Sequence, residues 1–229
     1  MKIVTVTGAG ISQSSNIPCF RTETGLWNRY DPNRVCHVDF MYTQESIDFF
    51  NTFLELMKTN SPNQIHIWLS SLSNQYECIH FTQNIDTFLE QAGCNNVYHV
   101  HGQVDEMRCE TCSNQIQSKT REMRCSQCGK MTRPNVVMYG ERGRYEFLFN
   151  TLFDLTPNDV LIVLGTSCAT LKIDTLAHAV DALKILVVND TSGIDTSGFD
   201  RVYKNDIEMV VDKLNIVLKD KCQSHRAEC

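Results

Sequence analysis

Four cysteines in two closely spaced pairs restrict this chain more than any other feature of its sequence. Cys109 and Cys112 are separated by two residues, as are Cys125 and Cys128, and twelve residues lie between the pairs. Two such pairs present four sulfurs from two tight turns, a pattern typical of a tetrahedral zinc site. Four thiolates leave no open coordination position, so the sequence predicts one structural Zn²⁺ ion. Two redox-active pairs are the alternative interpretation.

The composition sets limits on partners and compartment. The chain has 229 residues, eleven cysteines and a formal net charge of −6. A negative net charge disfavours nonspecific nucleic-acid binding, so we expect no direct nucleic-acid partner. Met1 leads straight into a strand-like run without a signal peptide, so we expect a minimal core in a reducing compartment, cytoplasmic or nuclear. The apolar runs are too short to cross a bilayer and no coiled-coil heptad is evident, so we expect a monomer away from membranes.

Short β-branched runs that end in glycine or polar residues alternate with helical patterns. The expected strands are 3–7, 78–82, 97–100, 160–164 and 185–188. Apolar residues recur at helical spacing over 44–58 and 206–218. Continuous apolar runs suit parallel strands covered on both faces, so the sequence predicts an α/β doubly wound fold. Ligands of such folds bind at the carboxyl ends of the strands.

Two stretches depart from this alternation. Residues 102–135 are polar and rich in Cys, Arg, Gln and Ser. They hold too few apolar residues to form a core alone, so we expect a small module folded around its metal. Residues 19–63 are expected to be a second excursion from the main sheet. The tail from Lys219 onward is expected to fray.

The first expected strand ends in Gly8-Ala9-Gly10-Ile11-Ser12. Glycines directly after a strand allow a tight turn and a close approach to a pyrophosphate. Gln13 stands where the dinucleotide pattern G-x-G-x-x-G has its third glycine, so an ordinary strand-to-helix turn remains open. Arg21 follows within reach of the same strand end, where it could neutralise a phosphate.

The second expected strand is followed by the run Thr82-Gln83-Asn84-Ile85-Asp86. Asn84 and Asp86 are both common near helix N-caps, and the alternative is a polar cluster that binds an amide-bearing ligand.

Further along, His99 and His101 should point to the same side of a strand. His101 directly precedes Gly102, where the strand should end, so it is the better candidate for a base at the sheet edge. Gly165-Thr166-Ser167 and Asn189 follow later strands and offer donors to a nucleotide. All these strand ends should converge on one crevice.

In their order, these motifs resemble those of sirtuins. The motifs are Gly8-Ala9-Gly10-Ile11-Ser12, Ile17-Pro18, Phe20-Arg21, Thr82-Gln83-Asn84-Ile85-Asp86, His101-Gly102, the four cysteines, Arg133-Pro134-Asn135-Val136-Val137, Gly140-Glu141 and Gly165-Thr166-Ser167. The resemblance spans about residues 3–218. It implies NAD-dependent removal of acyl groups from protein lysines, which yields nicotinamide, free lysine and O-acyl-ADP-ribose. An NAD glycohydrolase or ADP-ribosyltransferase, or a noncatalytic NAD-sensing module, are the competing readings.

The resemblance also implies roles for individual residues. The catalytic residues are expected to be His101, Asn84 and Asp86, with His101 as the general base. NAD is expected to contact Gly8, Ala9, Gly10, Ser12, Phe20, Arg21, Gln83, Asn84, Ile85, Asp86, His101, Gly165, Thr166, Ser167, Asn189, Asp190 and Ile207. The acyl-lysine peptide is expected to contact His101, Val137, Tyr139, Gly140 and Glu141, adding as a strand beside the Gly140 segment. Zinc is expected to be bound by Cys109, Cys112, Cys125 and Cys128.

The resemblance further implies one catalytic core over residues 1–229 with two domains. A Rossmann-like large domain is expected over about 1–18, 64–101 and 136–220. A small domain is expected to combine a helical insert, about 19–63, with a zinc-binding module, about 102–135.

The departures from the family pattern carry information of their own. Cys19 replaces a frequent aspartate, Asn16 replaces a usual glycine, and residues 168–172 lack the usual proline-containing continuation. Relatives that remove succinyl or malonyl groups carry a Tyr-x-x-Arg pair on a pocket helix, where Phe50 and Phe53 are the matching positions here. An apolar pocket end cannot pair a carboxylate, so we predict neutral acyl groups.

Overall fold

A six-stranded parallel sheet forms the centre of the computed structural model, which describes residues 1–17, 29–117 and 124–227. Its strand order is β3-β2-β1-β7-β8-β9, and a separate antiparallel sheet has the order β5-β4-β6. The strands are β1 Lys2–Thr7, β2 Glu77–Thr82, β3 Val97–His99, β4 Gly102–Cys109, β5 Gln115–Gln117, β6 Thr132–Val136, β7 Val160–Leu164, β8 Leu183–Val188 and β9 Arg201–Lys204. The five predicted strands are confirmed, and β1 lies between β2 and β7.

Seven α-helices connect or flank these strands in the described residues. They are α1 Pro32–Val35, α2 Gln44–Thr59, α3 Gln64–Ser73, α4 Phe88–Gln91, α5 Glu146–Phe153, α6 Ile173–Ala177 and α7 Val211–Ala227. Short 3-10 helices cover Ala9–Ser15, Val38–Phe40 and Glu208–Val210. None of the helices in this part of the chain is both long enough and apolar enough to span a membrane.

The expectation that the chain frays from Lys219 is wrong. Helix α7 continues to Ala227. Leu214 and Leu218 anchor this helix in the core, and the Lys221 ammonium donates to the carbonyl oxygen of Pro157 at 2.6 Å. The leucines fix the helix just before Lys219, and the Lys221 bond ties the part that was expected to fray.

Both faces of the parallel sheet are covered by apolar side chains. On β7, Val160, Ile162 and Leu164 pack into one buried cluster, while Leu161 and Val163 pack into another. The alternation places the two clusters on opposite faces of the sheet. This arrangement confirms the predicted doubly wound α/β architecture.

A third buried cluster joins the helical insert to the module that carries the cysteines. Helix α2 contributes Phe49, Phe50 and Phe53, and the antiparallel sheet contributes Val104 and Val136. The sequence prediction assigned no strands to residues 102–135, yet β4, β5 and β6 all lie there. This module therefore gains its apolar packing from a neighbouring element.

Candidate functional site

The glycine loop after β1 packs directly on the glycine loop after β7. The N–H of Gly8 donates to the carbonyl oxygen of Leu164 at 3.0 Å, and the N–H of Gly10 donates to that of Gly165 at 2.8 Å. A Cβ atom on Gly10 would lie 2.7 Å from the Gly165 Cα, and Gly165 itself has a φ of +61°. Only glycine fits such a backbone contact. The two loops therefore form one continuous surface of backbone at the carboxyl ends of adjacent strands.

A buried polar cluster lies beside this surface. The Ser12 hydroxyl donates to Asp86 Oδ2 at 2.9 Å, and the Asn84 amide donates to the Ser12 Oγ at 3.0 Å. All three side chains are buried. Burial raises the pKa of Asp86, while hydrogen bonds from the Phe88 N–H and Ser12 oppose that rise.

Asp86 and Asn84 of the 82–86 run have different partners in the structure. Asp86 Oδ1 accepts the N–H of Phe88 at 3.2 Å, at the first residue of α4, as a capping residue would. Asn84 instead turns its amide toward Ser12. Its hydrogen bond orients the cluster rather than the helix.

His66, in the first turn of α3, also contacts this cluster. Its Nδ1 accepts the N–H of Asn63 at 3.1 Å, so the proton of the ring lies on Nε2. That Nε2 faces the Ser12 Oγ at 3.4 Å. Burial lowers the pKa of His66 to about 4. The ring is therefore a neutral, fixed support for Ser12.

The backbone fixes the tautomer of His101, and burial favours its neutral form. Its Nδ1 lies 3.0 Å from the carbonyl oxygen of Gln83, which can only accept, so Nδ1 carries the proton. The unprotonated Nε2 lies 2.9 Å from the hydroxyl of Tyr145. Burial lowers the pKa of His101, although the Gln83 carbonyl opposes that shift. A neutral imidazole with a lone pair on Nε2 can accept a proton near neutral pH.

His99 differs from His101 in charge. Its Nδ1 lies 2.9 Å from the carbonyl oxygen of Asn84, and its Nε2 lies 2.7 Å from a Glu90 carboxylate oxygen. Burial acts to lower the pKa of His99, but the Glu90 carboxylate more than offsets this and the pKa is raised. The two rings thus donate to consecutive carbonyls, and of the two only His101 keeps an unprotonated ring nitrogen.

One cavity of about 1100 Å³ brings the predicted nucleotide and peptide residues together. Its lining includes Gly8, Ala9, Gly10, Ser12, Gln83, Asn84, Ile85, Asp86, His101, Val137, Tyr139, Gly140, Glu141, Gly165, Thr166, Ser167, Asn189, Asp190 and Ile207. Phe20 and Arg21, together with Cys19, lie outside the described residues. The convergence expected at the strand ends is therefore present for every described residue of the two sets.

The apolar part of the cavity differs from the sequence-based match. Phe49 and Phe53 line it, together with Cys36. Phe50 is fully buried in the neighbouring cluster and does not line the cavity. Because α2 is wound at 3.6 residues per turn, Phe49 and Phe53 lie one turn apart on the same face. Both cavity-lining rings are apolar, as the prediction of a neutral acyl group requires.

The segment after β6 is fixed on several sides. The Tyr139 N–H donates to the carbonyl oxygen of Cys36 at 2.7 Å, and the Val38 N–H donates to that of Tyr139 at 3.0 Å. Glu141 Oε2 accepts the N–H of Met138 at 2.8 Å. These bonds shape the turn that carries Tyr139 and Gly140 into the cavity wall.

A buried arginine connects this turn to the cysteine module. Arg133 is fully buried and its guanidinium donates to the Glu141 carboxylate. It also donates to Glu110 Oε1 at 2.7 Å, and Glu110 lies between the first two cysteines of the module. The cysteine module and the cavity wall therefore share one ion-pair network.

The four cysteines converge as the sequence predicts. Their sulfur atoms all lie within 4.8 Å of one another, with 3.5 Å between Cys109 and Cys128 and 3.6 Å between Cys112 and Cys125. A tetrahedron of sulfurs at Zn–S distances near 2.3 Å has edges of about 3.8 Å. All four are free thiols rather than disulfides. The cluster therefore fits a structural zinc ion.

The glycine loops, the doubly wound sheet and the thiolate module define the class: a dinucleotide-binding α/β protein with a structural metal module. A comparison with family models identifies the family within this class. Residues 8–172 match the model of the Sir2 family, and the chain belongs to that family.

Several relatives and solved structures resemble the chain over most of its length. It is 34% identical over 174 residues to the NAD-dependent protein deacylase 1 of Archaeoglobus fulgidus, covering 72% of this chain and 71% of the relative. It is 29% identical over 227 residues to the NAD-dependent protein deacylase of Campylobacter jejuni, covering 95% and 96%. A Sir2 homolog–NAD complex has a TM-score of 0.82 and 28% identity, covering 96% of this chain and 90% of the other.

Another solved structure holds a Sir2 protein with a deacetylated p53 peptide and 3′-O-acetyl ADP-ribose. It has a TM-score of 0.74 and 26% identity, and covers 95% of this chain and 92% of the other.

Proposed function

We propose that this chain is an NAD-dependent protein-lysine deacylase that yields nicotinamide, deacylated lysine and O-acyl-ADP-ribose. The observation that carries the proposal is the unprotonated Nε2 of His101 in a cavity lined by both glycine loops and the Tyr139 turn. The names of the relatives, NAD-dependent protein deacylase and deacetylase, support the same activity.

The backbone surface of the two glycine loops suits the phosphates of NAD. Gly8, Ala9 and Gly10 would hold the pyrophosphate together with Arg21, while Thr166, Ser167 and Asn189 would hold the adenosine half. Side chains at Gly10 or Gly165 would fill the space where the two loops meet. NAD supplies the ribose carbon that the acyl oxygen attacks as nicotinamide leaves.

The buried polar cluster would position the nicotinamide end. Asn84 and Asp86 are both held by hydrogen bonds with Ser12, so little of their side-chain entropy would be lost on binding. His101 would take the proton of a ribose hydroxyl at Nε2, since its Nδ1 proton is committed to Gln83. Ser12 and His66 act through their neighbours as positioning residues.

We propose that the peptide adds as a strand between the Gly140 turn and the loop after Ser167. Ala169 and Thr170 of that loop line the same cavity. Strand addition depends mainly on main-chain hydrogen bonds, so it depends little on the amino-acid sequence of the peptide. The apolar rings of Phe49 and Phe53 would contact a neutral acyl group. An unpaired acyl carboxylate buried there would cost roughly several kcal/mol.

We further propose the organisation expected from the sequence. A large domain would comprise about 1–18, 64–101 and 136–220, and a small domain about 19–63 and 102–135. The protein would act as a monomer in the cytoplasm or nucleus, without membrane or nucleic-acid partners. Free thiols at the described cysteines are consistent with such a reducing compartment.

A mass-spectrometric assay tests the activity. An acetyl-lysine peptide is incubated with and without NAD, using the wild type, His101→Ala and the matched control His178→Ala, whose ring lies on the surface. We expect NAD-dependent loss of acetyl with formation of O-acetyl-ADP-ribose in the wild type and the control, and its loss in His101→Ala. NAD breakdown with the peptide untouched would favour a glycohydrolase instead.

The same assay tests the acyl preference. A succinyl-lysine peptide of identical sequence should be processed at least about 100-fold more slowly, the rate equivalent of several kcal/mol. Removal of succinyl as efficiently as acetyl would contradict the preference for neutral groups while leaving the deacylase proposal intact.

A further inference from the structure

The lone pair of the candidate base is already engaged by another side chain. Nδ1 of His101 donates to the Gln83 carbonyl, so Nε2 can only accept. The Tyr145 hydroxyl lies 2.9 Å from Nε2 and must therefore be the donor. A neutral imidazole has one such lone pair. A ribose hydroxyl and the Tyr145 hydroxyl cannot both donate to it.

Neighbouring residues fix the position of the Tyr145 ring. Its ring meets the His101 ring edge to face, with centroids 5.9 Å apart, and meets Phe149 at the same distance. The hydroxyl end of the ring lies on Gly143, where a Cβ atom would fall 2.1 Å from Tyr145 Cε2 and 2.6 Å from its hydroxyl oxygen. Glycine at 143 thus leaves the space that the Tyr145 ring fills. Burial raises the pKa of Tyr145, which keeps the proton on the phenol.

We propose that Tyr145 is a positioning residue that caps Nε2 of His101 and that the ribose hydroxyl of NAD displaces this cap on binding. The proposal rests on the proposed function only for the identity of the displacing hydroxyl. Donation to the lone pair favours the neutral ring, so the cap acts in the same direction as burial on the pKa of His101. The cap favours the neutral imidazole, and His101 can accept a proton only after the ligand has displaced the Tyr145 hydroxyl.

The first test measures the reactivity of Nε2 without turnover. Diethyl pyrocarbonate modifies unprotonated imidazole nitrogens, and mass spectrometry locates the modified histidine. The variants are Tyr145→Phe, which removes only the hydroxyl, and Gly143→Ala, which pushes the ring away. Tyr98→Phe is the matched control because Tyr98 is exposed and packs on Phe147 of α5, the helix that begins directly after Tyr145.

In protein without NAD, a hydrogen bond of ordinary strength predicts that His101 reacts about three- to ten-fold faster in Tyr145→Phe and Gly143→Ala than in the wild type. The control should react at the wild-type rate. NAD should protect His101 in all four proteins.

The second test is the pH profile of kcat/KM for NAD, which reports ionisations of the free enzyme. Loss of the cap should move the acid limb about half to one unit toward higher pH in Tyr145→Phe. A purely structural tyrosine would change stability without moving this limb.

Unchanged or slower modification of His101 in both variants would overturn the proposal. If the wild type deacylated no peptide but diethyl pyrocarbonate still modified His101 faster in the two variants, the cap would be supported and the proposed function would be refuted. Thermal unfolding of each variant identifies a folding defect, and Gly143→Ala then provides the second, independent displacement of the ring.

Discussion

Acid should destabilise this protein through a buried histidine other than the candidate base. His80 on β2 is fully buried. Its Nδ1 lies 2.8 Å from the Thr5 hydroxyl on β1, and its Nε2 lies 2.7 Å from the Ser73 hydroxyl of α3. Burial lowers the pKa of His80 from 6.5 to about 4, with the Glu90 carboxylate opposing the shift. The neutral ring thus bridges the sheet and a covering helix.

The direction and size of the effect follow from linkage. The unfolded chain binds a proton at His80 below about pH 6.5, whereas the folded protein resists protonation until about pH 4. The contribution of the neutral ring to stability is therefore present above pH 6.5 and is lost as the pH falls toward 4. Between pH 7 and pH 5 the loss from this one ring amounts to about 2 kcal/mol.

Urea unfolding at pH 7 and pH 5 measures this loss. In His80→Gln the side chain can still bond hydroxyl groups but cannot titrate. The wild type should lose about 2 kcal/mol more unfolding free energy between the two pH values than this variant. Ser73→Ala is the control, because it removes one hydrogen bond but keeps the buried ring, and it should retain the wild-type pH dependence. Parallel losses in the wild type and His80→Gln would refute the reasoning.

Three further outcomes follow from the site. Gly10→Ala places a methyl group against the Gly165 backbone and should destabilise the fold by about 1–3 kcal/mol, with weaker NAD binding by calorimetry; an unaltered affinity would argue against the phosphate site. Arg133→Met removes the buried partner that Glu110 and Glu141 share and leaves Arg108 as their remaining ion-pair partner; losing the charge-assisted hydrogen bonds of Arg133 should cost about 2 kcal/mol of stability, measured by urea unfolding, and raise KM for the peptide more than KM for NAD. Native mass spectrometry should find one zinc per chain, absent in Cys125→Ser, and chelation should expose residues 102–136 to limited proteolysis; resistance to the protease would show that the module folds without metal.

The sequence predicts the central strands well because parallel strands buried on both faces are continuous apolar runs. Strand β9 escapes this signal, since its residues Arg201–Lys204 are mostly exposed at the edge of the sheet. The antiparallel strands of the cysteine module escape it as well, because they are mostly polar and their apolar residues Val104 and Val136 are buried in a cluster that includes α2.

The candidate site likewise has some features that the sequence predicts and others that it does not. Glycine turns, the His101-Gly102 step and the cysteine spacing are local patterns, so they can be identified without a structure. The contacts of His66 with Ser12 and of Tyr145 with His101 join residues 54 and 44 positions apart. No periodicity encodes such pairs. The Asn63-x-x-His66 capping box is the one local signal that could have drawn attention to His66.

The ends of the cysteine module meet at a single point beside the candidate base. Gly102 pairs with Val136 in the antiparallel sheet, and the Val137 N–H donates to the carbonyl oxygen of His101 at 2.8 Å. Gly102 has a φ of +77°, and a Cβ there would fall 1.8 Å from the Asn135 oxygen, so glycine alone closes this seam. Residues 103–135 are therefore an insertion in the chain that forms the parallel sheet, and the two ends of this insertion lie next to each other. The number of these residues can change through evolution at little cost in chain entropy, while the hydrogen bond that closes the insertion is made by the backbone of His101 itself.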